Sequence, residues 1–433
     1  MTRFRQQPGR GEPMTPDACC RPEEIYAIED LEKNRSYGRK ALEQEMGGLS
    51  EKADVVIIGG GIIGVSTAYY LAKKGARNVI LLERSMLGSG ATGKCAGGIR
   101  TQFSTEINLQ FSILSRRVFD GFKDEFGVDP EFRTIGYLFV GCAREQMEVL
   151  EHTANMVRLA GVEMELLSPD EISRRWPALM VEDLIGGSYT PGDGYAGPNE
   201  VLQGFARGAR RLGVKIREGE EAAAIRLAGD RVEAVETSAA QRIWTPTVVN
   251  AAGPYAARVA GMAGLELPVR PLRRQVFFTA PLEGLAPRLP MVIDLEYGWY
   301  ARGEGGGFLL AGPQDRESSF NEGTDFEGKE WAAARAVHRI PIMEQGSIAR
   351  GWAGLYEISP DHHAIIGAFP ELKGFICANG FSGHGFQHSP AAGMVVAEII
   401  LEGRPRSLDI SPLRPERFRQ GDLVREPLTA LKD

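Results

Sequence analysis

The chain has 433 residues, 43% of them hydrophobic and 25% charged, with 50 Lys and Arg against 57 Asp and Glu for a formal net charge of −7. That length allows two or three domains around a large core. The acidic balance excludes nucleic acid as the main partner but permits a locally positive pocket, and no apolar run reaches the ~18 residues of a membrane span.

Residues 1–53 read as an N-terminal arm, partly disordered. Residues 1–22 mix Pro, Gly and Arg without period, and residues 23–46 carry only a thin apolar stripe (Ile25, Ile28, Leu31, Leu42). Arg3, Arg5 and Arg10 are soon followed by Glu12, Asp17, Glu23 and Glu24, which argues against a transit peptide, and no secretory apolar region is present. The five Cys contain no CxxC. A disulfide framework, an iron–sulfur centre and a zinc site are therefore not expected, and reduced thiols in a cytoplasmic protein are.

The body starts at Asp54. Val55–Ile58 is a wholly apolar β-branched run, as a buried parallel strand requires. Ile62–Lys74 follows as a helix, and Asn78–Glu83 as a second apolar strand. Helices are predicted over 106–126, 143–160 and 200–212, with a strand over 136–140. Val214–Ile216 and Arg231–Thr237 read as a hairpin, and Thr247–Asn250 as another buried strand. Strands over 269–280, 298–302 and 308–311 suggest an antiparallel second sheet. A last strand, 374–378, leads to a helix over 389–401, for which Ser389 and Pro390 are a fitting N-cap and first residue. The predicted organisation is a first, discontinuous domain from 54–135, 196–265 and 345–405, a second domain from 136–195 and 266–344 inserted in it, and a Pro- and Arg-rich tail over 406–433.

The chemistry begins at Gly59-Gly60-Gly61-Ile62-Ile63-Gly64. Gly59 permits the tight turn, Gly61 lets the backbone approach a pyrophosphate, and Gly64 lets the helix lie close on the sheet. The pyrophosphate would rest on the helix N-terminus. Glu83, ending the second strand, suits a ribose diol and would repel a 2′-phosphate. Strand, glycines, helix, strand and acid in this order point to a dinucleotide. The long polar loop from Arg84 through Gly90-Ala91-Thr92 to Gly97-Gly98 favours FAD over NAD, because such a loop can follow an extended cofactor towards its flavin.

Together with Val248-Val249-Asn250-Ala251-Ala252-Gly253 and Gly380-Phe381-Ser382-Gly383-His384-Gly385-Phe386, these motifs resemble the D-amino-acid-oxidase (DAO) family of FAD enzymes over about residues 54–403. Within it the chain is similar to the sarcosine and dimethylglycine oxidases and dehydrogenases, and to the β subunits of heterotetrameric sarcosine oxidase and proline dehydrogenase. The resemblance implies an α/β fold: a glutathione-reductase-like Rossmann FAD domain with an α+β, antiparallel-sheet substrate domain inserted. It implies oxidation of the C–N bond of a secondary or tertiary amino acid by hydride transfer to flavin N5. Ala252, Gly253, Gly380, Gly383, His384, Gly385 and Phe386 would join Arg84 and the fingerprint residues around FAD, with His384 beside the ring and Tyr356 at an active-site tyrosine position.

The departures from the family pattern sharpen the expectation. The family's covalent flavin links would fall at Gly354, near Lys94 and, for a second flavin, near Pro198. None of these residues can form the link, so FAD is expected to be non-covalent, and FMN is expected only within a complex. Leu309 falls where related oxidases hold an oxygen-activating Lys, which leans towards a dehydrogenase; O2, a quinone and a partner subunit stay open as acceptors. Gln387 replaces a carboxylate-binding Lys, leaving Arg100, Arg302 and Arg350 as candidates for a bidentate grip. His362 and His363 read as surface residues at a turn, and no metal site is expected. Rival readings are an FAD-dependent hydroxy-acid or glycerol-3-phosphate-type dehydrogenase and a flavin-carrying subunit of a hetero-oligomer.

Overall fold

The computed structural model describes residues 51–282 and 289–430, apart from the side chains of Gln314, Thr429 and Ala430; the arm over residues 1–50 lies outside them. Two sheets organise the described residues. The first is built on Val55–Ile58, whose four residues are all buried. It pairs in parallel with Val79–Glu83 on one side and Val248–Asn250 on the other. Lys215–Glu218 extends the first side and Leu372–Asn379 the second, again in parallel, and Ile365–Phe369 closes that edge antiparallel. Lys215–Glu218 therefore does not form a hairpin with Arg231–Thr237. It completes a crossover through the helix Pro198–Arg211, whereas Arg231–Thr237 pairs with Ala222–Ala228 and Arg242–Trp244 in a meander over the other face.

One face of the parallel sheet is covered by the helices Ile62–Lys73, Pro198–Arg211 and Gly385–Glu402. Ile62–Lys73 is apolar almost all round, as its ten buried residues require. The predicted helix over 106–126 breaks at Gly121 into Glu106–Asp120 and Phe122–Phe126.

The second sheet runs in the order 348–358, 270–279, 307–314, 299–304, 291–294, 137–141, 186–190, 165–167. It is antiparallel at every junction but one: Met291–Asp294 and Tyr137–Gly141 are parallel, so the expected antiparallel sheet is mixed. Phe326–Arg339 packs on one face, where Ala332 and Ala336 join Phe277, Trp299 and Phe308 in a core.

Two further expectations change. The last helix starts at Gly385, with His384 as N-cap, not at Ser389. Pro390 inside it removes the N–H that would serve the Phe386 carbonyl, and the Ser389 hydroxyl donates to that carbonyl instead, at 2.8 Å. His363 is buried, not a surface residue; its Nδ1 lies 2.8 Å from the Asp361 carbonyl and its Nε2 3.0 Å from the Thr105 hydroxyl. The C-terminal tail packs into the body. Arg417 is fully buried and grips Asp361 with two bonds of 2.8 and 2.9 Å, and buried Glu426 accepts from the Ser104 backbone, Thr105 and Asn108.

Candidate active site

The turn after Val55–Ile58 is shaped by backbone approach. Gly59 has φ +117°, and a Cβ there would stand 2.3 Å from the Ala251 carbonyl. A Cβ on Gly64 would stand 2.0 Å from the Gly59 carbonyl, so that glycine seats the helix on the strand. Thr92 folds back so that its hydroxyl accepts the Ile62 N–H at 3.0 Å, which ties the long loop to the helix N-terminus. Both oxygens of Glu83 are held at 2.8 Å, by the N–H groups of Gly60 and Ser85. An oxygen so held still has a lone pair for a hydroxyl. Arg84 stacks over the Tyr255 ring at 3.7 Å.

From this end a cavity of about 530 Å³ runs to the second sheet. Of the predicted cofactor residues, its lining includes Gly59, Gly61, Ile62, Ile63, Glu83, Arg84, Gly90, Ala91, Thr92, Gly97, Gly98, Ala252, Gly253, Gly383, His384, Gly385 and Phe386. Gly64 and Gly380 are not in it. Gly64 is spent on packing, and Gly380 (φ +71°) on a left-handed turn whose N–H donates to Glu357 at 3.0 Å. Two helix N-termini open on the cavity, those of Ile62–Lys73 and Gly385–Glu402, each favouring negative charge. The residues fit a dinucleotide: an oriented acid for a ribose, glycine backbone at the first helix for a pyrophosphate, and a second helix N-terminus farther along.

The far wall is the second sheet. Tyr137, Arg274, Val276, Met291, Ile293, Tyr300 and Tyr356 line it. Register puts them on one face: Met291 lies beside Tyr137, Ile293 beside Tyr300, and Leu272 beside Tyr356 two residues from Arg274. Burial pushes the Tyr137 and Tyr300 phenols well above their ordinary range, so both stay protonated donors. The Tyr356 ring packs on Gly383, where a Cβ would come within 2.7 Å of it. Burial pushes Glu357, the next residue, up to about 7.

Arg100 enters from the loop. Its guanidinium lies 3.8 Å above the Phe103 ring and donates to the Gln102 carbonyl, while its backbone N–H donates to Gln387 at 2.7 Å. Burial lowers its pKa. The next residue, Thr101, is clamped by its N–H and its hydroxyl to buried Asp193, both at 2.9 Å. His384 is buried, edge-on to Phe103 at 4.9 Å.

Arg302 and Arg350 do not reach the lining. Arg302 stacks on Tyr195 at 3.8 Å and pairs with Glu304, and Arg350 is exposed over Phe278. Leu309 also stays out of the lining, buried with Val276 and Phe278. The second cation of the far wall is Arg274, which sequence reasoning passed over. Its signal was legible: a lone Arg between Leu272, Val276 and Phe278 on the inward alternation of a strand. Lys94 and Glu322, paired at 2.8 Å, also line the cavity. No signal in the sequence joins those two, since they meet only when the loop over 315–325 folds back.

Comparison with known proteins adds the following. The model of the family described as FAD dependent oxidoreductase, DAO, matches residues 54–399. FAD-dependent oxidoreductase domain-containing protein 1 of Xenopus laevis is 32% identical over 417 residues, covering 85% of this chain and 83% of its own. Human mitochondrial sarcosine dehydrogenase is 31% identical over 82% of this chain but only 40% of its own length. Among solved structures, L-proline dehydrogenase from P. horikoshii superposes with a TM-score of 0.81 at 32% identity, covering 87% of this chain and 100% of that one.

Proposed function

Given that the chain belongs to the DAO family of FAD dependent oxidoreductases, we propose that it oxidises the C–N bond of a secondary or tertiary amino acid. The observation that carries this reading is one cavity joining a dinucleotide fingerprint to a sheet wall of arginine, tyrosine and apolar side chains. The proteins named above as sarcosine and proline dehydrogenases support the substrate class.

Arg100 holds the substrate carboxylate, and Tyr137, Tyr300 and Tyr356 orient the rest and exclude water. The positive charge of the nearby Arg100 and Arg274 guanidinium groups disfavours the ammonium form, so the amine binds neutral, with its lone pair available. FAD held along the glycine fingerprint and the 84–98 loop would supply the two-electron acceptor for a hydride from the carbon beside nitrogen. The iminium so formed would be hydrolysed by water to the carbonyl product and the free amine. His384 shapes the wall beside Phe103, and the helix it caps contributes a positive N-terminal dipole end.

No helix among the described residues is long and apolar enough to cross a membrane. Cys95, Cys142 and Cys377 are separate thiols, consistent with a reducing compartment, which we take to be the cytoplasm. The acceptor of the electrons is read from re-oxidation: O2 against an artificial acceptor.

The test is anaerobic mixing of the yellow holoprotein with sarcosine, dimethylglycine, proline and a set of hydroxy acids. Bleaching by amines and not by hydroxy acids is expected, and the reverse result overturns the reading. Because Gly354, Lys94 and Pro198 offer no attachment chemistry, acid precipitation is expected to leave all the FAD in the supernatant.

A further inference from the structure

Two arginines face this end of the cavity, and no carboxylate lies within ion-pair distance of either among the described residues. Arg274 projects from the strand Arg270–Thr279, and Arg100 from the loop that faces it. Neither has an ion pair among the described residues. Nη2 of Arg274 donates to the Gly298 carbonyl at 2.6 Å, and its Nε has no acceptor. Arg100 donates to the Gln102 carbonyl. Carbonyl oxygens orient a guanidinium but do not neutralise it. The rest of that wall, Tyr137, Val276, Met291, Ile293, Tyr300 and Tyr356, is neutral.

The two arginines serve the same space. Tyr300 lies 5.8 Å from the Arg274 guanidinium and is beside Ile293 in register, and Tyr137 is beside Met291 two residues away. Tyr137 in turn feels the charge of Arg100. The carboxylates that do line the cavity are committed elsewhere: Glu83 to the N–H groups of Gly60 and Ser85, Glu357 to the Gly380 N–H, and Glu322 to Lys94. Two half-buried guanidinium groups line one cavity without an ion pair, Arg100 with only the longer-range fields of Asp193 and Glu426, so each can take an anionic group from the ligand. One carboxylate, as in a simple amino acid, leaves the second guanidinium unmet.

We propose that the substrate carries two carboxylates, one taken by Arg100 and the other by Arg274, with the reacting amine between them. This rests on the amine-oxidising reading above and narrows it from amino acids in general to dicarboxylic secondary or tertiary amines. Arg274 is then a specificity-determining residue, since a guanidinium placed to pair a ligand carboxylate favours the ligand that carries one.

The experiment uses the FAD-loaded protein and ligands that cannot be oxidised. Acetate, propionate and butyrate are titrated against malonate, succinate and glutarate, with binding read from the perturbation of the flavin absorbance spectrum. The best dicarboxylate is expected to bind about 10- to 100-fold tighter than the monocarboxylate of equal chain length, the range that one charge-assisted pair contributes. Arg274→Met is expected to remove that advantage while leaving monocarboxylate binding within about 2-fold. Equal affinity for the two series in the unaltered protein, no perturbation by either, or a variant that weakens both series alike overturns the proposal. The unaltered protein alone decides the first two outcomes, so a variant that fails to fold does not protect the idea. Bleaching by hydroxy acids but not amines would sink the amine reading while leaving the preference for two carboxylates to be judged on these titrations.

Discussion

Single residues set the site's electrostatics. Glu83 is the group most specific to a dinucleotide, because both its oxygens are fixed before any ligand arrives. Glu83→Gln keeps the shape and removes the charge, and is expected to weaken FAD binding about 10-fold, as the loss of one charge-assisted hydrogen bond would, measured by fluorescence titration of the FAD-free protein. Glu357 behaves differently. Its folded pKa of about 7, against an ordinary 4.5, comes from burial, so the folded protein prefers it protonated. Its contribution to stability is full below pH 4.5 and is lost as the pH rises through 7. Glu357→Gln stays neutral throughout and can still accept the Gly380 N–H. The variant's melting temperature is therefore expected to gain on that of the unaltered protein between about pH 5 and pH 8; a constant difference across that window would show that Glu357 does not titrate there.

Secondary elements bring the two cofactor-facing N-termini together. The helices Ile62–Lys73 and Gly385–Glu402 pack through small residues. A Cβ on Gly393 would stand 2.3 Å from the Ser66 hydroxyl and 2.7 Å from the Ser66 carbonyl carbon, and Ser66 donates to the Ser389 carbonyl at 2.8 Å. Gly393→Ala is expected to force the helices apart, costing about 1–3 kcal/mol by denaturant unfolding. FAD affinity should fall with it, because both N-termini move. Unchanged stability and affinity would mean that the pair tolerates the spacing. The loop over 315–325 is a second case of elements meeting at the cavity. It is rooted by Arg273 on Asp315 and Asp325, stacks Phe320 on Tyr255 at 4.6 Å and pairs Glu322 with Lys94. Tyr255 also carries Arg84, so this loop reaches from the second sheet to the dinucleotide end.

At the scale of the molecule, the C-terminal segment straps the two sheets. Arg417 anchors it at Asp361, Glu426 fastens it to the start of the helix Glu106–Asp120, and Leu428 packs with Tyr137, Met291 and Ile293, which line the cavity. Arg417→Leu strands a buried carboxylate and is expected to cost about 3–5 kcal/mol, read as a lower denaturation midpoint. Adding Asp361→Asn should recover most of that loss, and failure to recover would place the role of Arg417 in its carbonyl contacts, not in the charge pair.

Local chemistry made the dinucleotide unit readable from the sequence. Gly59, Gly61, Gly64 and Glu83 act within one βαβ unit, where spacing along the chain is spacing in space. The same held for the Gly380–Phe386 turn, although Ser389 and Pro390 misplaced the helix start, because a hydroxyl can replace a lost backbone donor. Where partners lie far apart in sequence, residue type alone misled. Arg302 and Arg350 were the candidates beside Arg100, yet the second sheet puts Arg274 and neither of those two in the cavity lining. His363 looked exposed, and only the tertiary fold, with the C-terminal strap around it, buries it. The sequence by itself determined the family and the FAD cofactor, because the motifs that carry them rest on short-range backbone geometry. The tertiary structure decided which arginines line the cavity, because an alternation along one strand separates its two faces but only strand pairing and long-range closure say which face turns inward.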